Sequence, residues 1–416
     1  MPIWTVNIQL ENALSFVIQP VSHPKKQRPL LGDPGMRSVP SPCYSLFQHP
    51  MSQSSVCENA SNASAQRHLG FDLLRVIATY MVMQIHTGEF YYIGRGDTVI
   101  NTASAYWVGW YNSLFRVCVP LFVMLSGFYL FPVNDEKLFF KKRFSRVLTP
   151  FLAWCALYAF YYYFQGSVTL MGAFTNVLHI PINYGTEVGH LWFVYMLLGI
   201  YLFAPVISPW VQSASRRSME LFLVLWGVTL TIPYIHLYFP QIWGEAAWNR
   251  TPMLYYFSGF LGYAVMAAYI RRFLMRPAAI HFIVAVALIA TGYCITASGF
   301  LSRLSTEHDV ARLELTWGFE TINVAMMAIG VFLLFKNIQP ARAASACWTL
   351  IRDISRKSYG MYLAHIMVLN AVYALVNKRI DSAAIKLPVI ALVTFTSTYI
   401  LVKALSYLPK SKWVVG

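Results

Sequence analysis

Residues 71–90 read FDLLRVIATYMVMQIHTGEF, an apolar run of membrane-crossing length with charged and titratable side chains set into it. A helix needs about 20 mostly apolar residues to cross a hydrocarbon core of roughly 30 Å. The same signal recurs down the chain, at about 114–133, 147–165, 189–211, 218–238, 252–270, 279–298, 316–335, 357–377 and 387–407. None of these runs alternates with a period of two, and each exceeds about ten residues, so they are helices rather than barrel strands. The expected fold is an all-α integral membrane protein with about ten transmembrane helices in one bundle.

Composition points the same way. Apolar residues make up 57% of the chain and charged residues 12%, half of the roughly 25% that a soluble domain carries. Mean hydropathy is +0.50. The net charge of +15 raises the question of nucleic acid. The basic residues sit at the ends of apolar runs, however, and no basic stripe interleaved with exposed aromatics lies outside them, so no nucleic-acid partner is expected. The six cysteines are scattered without a CxxC pair, which gives neither a disulfide framework nor a metal site.

Lysine and arginine also orient the bundle. The loops after the second, fourth, sixth and eighth runs hold fifteen of them, including Lys137, Lys141, Lys142, Arg143 and Arg146, against seven in the alternate loops. The richer set belongs in the cytoplasm, and with ten spans both termini do too. Residues 1–66 are proline-rich and then Ser/Asn/Ala-rich, with no run long enough to span. They read as a disordered cytoplasmic tail, or as a mis-assigned start with Met51 the true first residue; residues 67–416 form the membrane domain.

Ionisable groups inside a membrane span are expensive and mark candidate functional sites. Arg75 and His86 are eleven residues apart, almost three whole helical turns, so both side chains point the same way about 16 Å apart. One face thus offers a fixed cation near the cytoplasm and a titratable imidazole deeper in, which suits a long anionic donor whose reactive end reaches the imidazole. A snorkelling arginine and a hydrogen-bonded core histidine are the competing readings. Arg143 and Arg146, three apart, can grip phosphates with paired guanidinium forks, or simply follow the topology rule. Glu89, three residues after His86, can orient its imidazole, and Asp72 can orient Arg75. Ser126 and Gly127 allow close helix approach. His190 and His365 fit interface or packing roles equally well.

Taken together and in order, these motifs resemble the acyltransferase-3 family of bacterial membrane O-acyltransferases. Asp72, Arg75 and His86 match its first helix, Ser126 to Phe128 its SGF segment, and Arg143/Arg146 its RxxR pair. The HLWF stretch at His190 and the SYGMYLAH stretch ending at His365 are similar to the group that contains enterobacterial-common-antigen and exopolysaccharide acetyltransferases. The resemblance implies His86 as the essential histidine and Arg75, Arg143 and Arg146 as donor-binding residues. It implies acetyl-CoA as donor, no metal, and as acceptor a hydroxyl of a polymeric or lipid-linked surface glycan, in contact with membrane lipid and polysaccharide-assembly proteins. The place implied is the bacterial inner membrane, as a multi-pass protein. His86 then acts as general base or as transient acetyl carrier. Ser126 is the one candidate for the oxyanion. The rival is a transporter or flippase of a glycan or lipid intermediate, whose usual internal repeat is not evident.

Overall fold

The computed structural model describes residues 68–182, 184–239, 252–338 and 345–416; the 1–66 tail, with Met51, lies outside them. Among the described residues the protein is all-helical, with β pairing confined to two isolated bridges, Ile93 to Val99 and Thr98 to Asp309. In chain order the principal helices are α1 (Leu69–Glu89), α2 (Ala103–Phe115), α3 (Cys118–Leu130), α4 (Glu136–Phe164), α5 (Leu170–His179) and α6 (Trp192–Ser213). There follow α7 (Arg216–Thr229), α8 (Ile232–Tyr238), α9 (Pro252–Phe273), α10 (Ala279–Arg303), α11 (Ile322–Phe335), α12 (Ala346–Val376) and α13 (Ala383–Leu405).

Eight helical segments of the described residues are long and apolar enough to cross a membrane, where about ten were expected. α1 falls outside that set because Asp72, Arg75, Gln84 and His86 dilute its apolar character. It is nonetheless an inner helix: fourteen of its 21 residues are buried, and it packs on α2, α3, α12 and α13. α10 is its opposite, with five of 25 residues buried and Phe282, Ile283 and Val286 exposed. In a bilayer that exposure is ordinary, since lipid tails are as apolar as the side chains that face them. The bundle therefore keeps its polar helix inside and turns an apolar one outward.

Helix ends differ from the hydropathy boundaries in an instructive way. α4 and α12 begin at Glu136 and Ala346, each about eleven residues ahead of the expected span, so Arg143 and Arg146 lie on a helix and not in a loop. Side chains set these starts: Asp135 accepts from the Leu138 N–H and Ser345 from the Trp348 N–H, which satisfies orphan donors of the first turn. The second span is longer than read and bent, with α2 and α3 meeting at Arg116–Val117. The run expected from 316 is helical only from Ile322; a 3-10 turn, Glu314–Trp317, precedes it. Gly127 packs on the α9 backbone, where an added Cβ would stand 2.5 Å from the Ala264 Cα.

Candidate active site

α1 and α12 lie side by side, and their facing polar residues fall into rungs. On α12, Ser355, Ser358, Tyr359, Tyr362 and His365 recur at spacings of three and four, which keeps them on one helical face. On α1 the corresponding positions are Asp72, Arg75 and His86. At one end Arg75 Nη1 donates to Ser355 Oγ (3.1 Å), Ser355 Oγ donates to Asp72 Oδ1 (2.7 Å), and Arg75 and Asp72 are 3.6 Å apart as an ion pair. At the other, the His86 ring lies 5.2 Å from that of His365. Ten residues of α12 and eleven of α1 thus separate the rungs, about 15–16 Å on either helix. Arg75 and His86 both turn toward α12, inside the bundle.

The histidine end is a cluster. His86 Nδ1 lies 2.7 Å from Glu89 Oε2, so the ring donates there and leaves Nε2 with its lone pair. His365 Nδ1 donates to the Tyr362 carbonyl at 2.6 Å, and its Nε2 is buried without a hydrogen-bond partner. His190 meets the Leu363 carbonyl through Nε2 at 3.4 Å, and its ring lies 4.7 Å from His365 and 6.3 Å from His86. His190 is held from outside as well, since the Tyr362 hydroxyl donates to its carbonyl. His190 and His365 are 3% and 0% exposed, whereas the His86 side chain keeps 21% and Glu89 19%. The reachable imidazole is therefore the one with the carboxylate partner. A carboxylate held against Nδ1 fixes the tautomer and stabilises the imidazolium that forms when Nε2 takes a proton. Among the described residues no group of three or more His, Cys, Asp and Glu side chains has the geometry to hold a metal ion.

The arginine end gathers around Tyr201 of α6. Arg143 lies over the rings of Tyr201 (5.6 Å) and Phe139 (5.9 Å) and donates to the Tyr129 carbonyl at 3.4 Å. Arg146 stands one turn further along α4, and its charge and that of Arg75 on α1 also reach the Tyr201 hydroxyl. Arg146 is exposed and Arg143 half-buried. Aromatic residues of α12 connect the two ends: Tyr359 stacks with Tyr362 at 6.3 Å, and Tyr362 lies 6.0 Å from the His365 ring.

The structure thus gathers His86, Glu89, His190 and His365 at one end and Asp72, Arg75, Arg143 and Arg146 at the other. Ser126 makes no hydrogen bond to either group. Ser355, Tyr201 and the ion pair of buried Arg116 with half-buried Glu314 (3.3 Å) escaped the sequence reading; an arginine opening an apolar run was the signal for the last.

A family model described as an acyltransferase domain matches residues 68–407. No curated protein and no solved structure matches the chain.

Proposed function

We propose, from the premise that the chain belongs to the acyltransferase-3 family of membrane acyltransferases, that it moves an acetyl group from cytoplasmic acetyl-CoA to a hydroxyl of a bacterial surface glycan or its lipid-linked precursor. The observation that carries this reading is the His86–Glu89 hydrogen bond, 2.7 Å long, set three turns along one seam from a cluster of arginines. In this reading the arginine end faces the cytoplasm and the protein resides in the inner membrane.

Arg143, Arg146 and Arg75 take the phosphates of the coenzyme through charge-assisted hydrogen bonds, and Asp72 with Ser355 fixes the aim of Arg75. The pantetheine arm runs along the tyrosine side of α12 so that its thioester reaches His86. His86 Nε2 takes the proton of the acceptor hydroxyl as that oxygen attacks the thioester carbonyl. The tetrahedral intermediate collapses with cleavage of the C–S bond, and the departing thiolate recovers the proton from the imidazolium. The products are the acetyl ester and free CoA. His365 Nε2, an acceptor with no donor of its own, holds the acceptor's O–H groups in place for the attack.

The test is release of CoA thiol from acetyl-CoA by the purified protein in lipid nanodiscs, with membrane glycolipid added. Release should match acetyl ester formed on the glycolipid. His86→Ala should lower the rate by about 10³-fold or more while the protein remains inserted at normal levels. Retained activity in that variant overturns the assignment of His86. Movement of glycolipid across the bilayer with no thiol released would point to transport.

A further inference from the structure

α11 contains 14 residues, about 21 Å of helix, too short for a hydrocarbon core of roughly 30 Å. The remaining depth is covered by residues 314–321, a 3-10 turn followed by irregular chain. Irregular backbone at that depth is tolerated only when buried in protein or lining a water-filled cavity. Here it does both. Thr316, Trp317 and Thr321 are buried, whereas Gly318 is exposed and Glu314, Phe319 and Glu320 are half-buried.

Against this segment stands the bend between α2 and α3. Arg116 there is 6% exposed, with its guanidinium 4.4 Å from the Trp317 ring and 5.6 Å from that of Phe319. Its Nη2 meets Glu314 Oε2 as an ion pair at 3.3 Å, and Nε makes no hydrogen bond at all. Four residues earlier on the same face, Asn112 donates from Nδ2 to the Ile85 carbonyl (3.0 Å) while its Oδ1 is buried without a partner. A donor and an acceptor with open valences therefore sit one turn apart, and the acceptor hangs on the backbone beside His86. Phe319 stacks on Trp192 at 5.9 Å and 26°, two residues from His190.

We propose that Arg116, Asn112, Glu314 and the Phe319–Trp192 pair form a binding site for a neutral pyranose, the sugar whose hydroxyl is acylated. The apolar C–H face of a pyranose packs on the aromatic rings, and a hydroxyl, being donor and acceptor at once, satisfies Arg116 Nε and Asn112 Oδ1 together. Charge selects against acidic sugars. Two carboxylates bear on one guanidinium, Glu314 as its ion-pair partner at 3.3 Å and Glu89 through its charge. The Tyr92 hydroxyl, donating to Glu314 Oε1, keeps that carboxylate turned inward. The proposal rests on the transferase reading for the fate of the sugar and not for its binding.

Saturation-transfer NMR on the protein in nanodiscs, without acetyl-CoA, tests it with a short neutral glucan and an oligouronate of equal length. Transfer should reach the ring C–H protons of the glucan and be weaker for the oligouronate. Phe319→Ala should weaken glucan binding about tenfold, and Glu314→Gln should narrow the preference for the neutral oligomer. Phe319→Leu, which keeps an apolar side chain, should also lose affinity with thermal unfolding unchanged. No transfer in the native protein, equal affinity in Phe319→Leu, or preference for the oligouronate would overturn the site. Thiol release separates the two readings. Glucan binding without any release removes the transferase and keeps the site, whereas normal glycolipid saturation in Phe319→Leu removes the site and keeps the transferase.

Discussion

The two ends of the α1–α12 seam are built from the same helices and do opposite electrostatic work. At the Arg75 end the charge is fixed, because a guanidinium does not deprotonate in proteins, and it is met at once by a hydroxyl and a carboxylate. At the His86 end the charge can come and go, and the single carboxylate within reach, Glu89, is placed to receive an imidazolium. Fixed charge grips an anionic ligand without taking part in its chemistry; titratable charge moves protons and grips little. The seam therefore separates binding from turnover along one helix. Substitutions at the histidine end should fall on kcat and those at the arginine end on KM for the donor.

The largest effect after His86 itself should come from Glu89→Gln. The amide still accepts from His86 Nδ1, so the ring stays oriented, but the negative charge that stabilises the imidazolium is gone. A carboxylate-to-amide change beside a catalytic imidazole costs about 10²–10⁴-fold in kcat, and KM for acetyl-CoA should stay within about twofold. Glu89→Asp, shorter but charged, should restore part of kcat, which a merely structural role would not do. Steady-state thiol release gives both constants. An unchanged kcat in Glu89→Gln would leave His86 acting without its partner and dissolve the contrast between the two ends.

The seam also shows what the sequence could and could not express. Arg75 and His86 were legible because an eleven-residue spacing on one helix is a local property. His190 and His365 were ambiguous singly, since their value lies in ring distances of 4.7 and 5.2 Å across helices that no window of sequence contains. Ser355 was hidden for a different reason. Hydropathy measures solubility in lipid, not continuity of helix, and the first eleven residues of α12 carry Arg352, Asp353 and Arg356; the stretch read as loop, so its face was never drawn. The same blindness put Arg143 and Arg146 in a loop and Glu314 outside the bundle. Of the ten expected runs, eight meet the membrane criterion among the described residues and those at α1 and α9 do not; α1 owes its interior position to neighbouring helices and not to its own apolarity.

At the arginine end, Arg143→Ala combined with Arg146→Ala should raise KM for acetyl-CoA about 10- to 100-fold, the range expected for losing charge-assisted bonds at partly exposed positions. kcat at saturating donor should change little. Because any basic cluster on this side also sets membrane orientation, the Arg143→Lys, Arg146→Lys protein is the needed partner. It keeps the positive charge but loses the planar fork, and should show an intermediate KM with normal insertion. If the lysine pair were indistinguishable from the native protein while the alanine pair inverted or disappeared, the two arginines would be orienting residues with no hold on the donor.

The smallest effect, and the sharpest probe of the division, is Ser355→Ala. Its hydroxyl donates to Asp72 Oδ1 at 2.7 Å and accepts from Arg75 at 3.1 Å, so its loss removes the hydroxyl that bridges the two groups, whose own contact is 3.6 Å. One such hydrogen bond contributes about 1 kcal/mol, which sets the expected rise in KM for acetyl-CoA at roughly threefold to tenfold. Thermal unfolding should come a few degrees lower, and kcat should hold. The hydroxyl lies about 15 Å along α12 from His365, too far to touch the reacting atoms. A fall in kcat with KM intact would therefore mean that the α1–α12 contact transmits strain from one rung to the other, and that binding and turnover are coupled through the seam instead of divided along it.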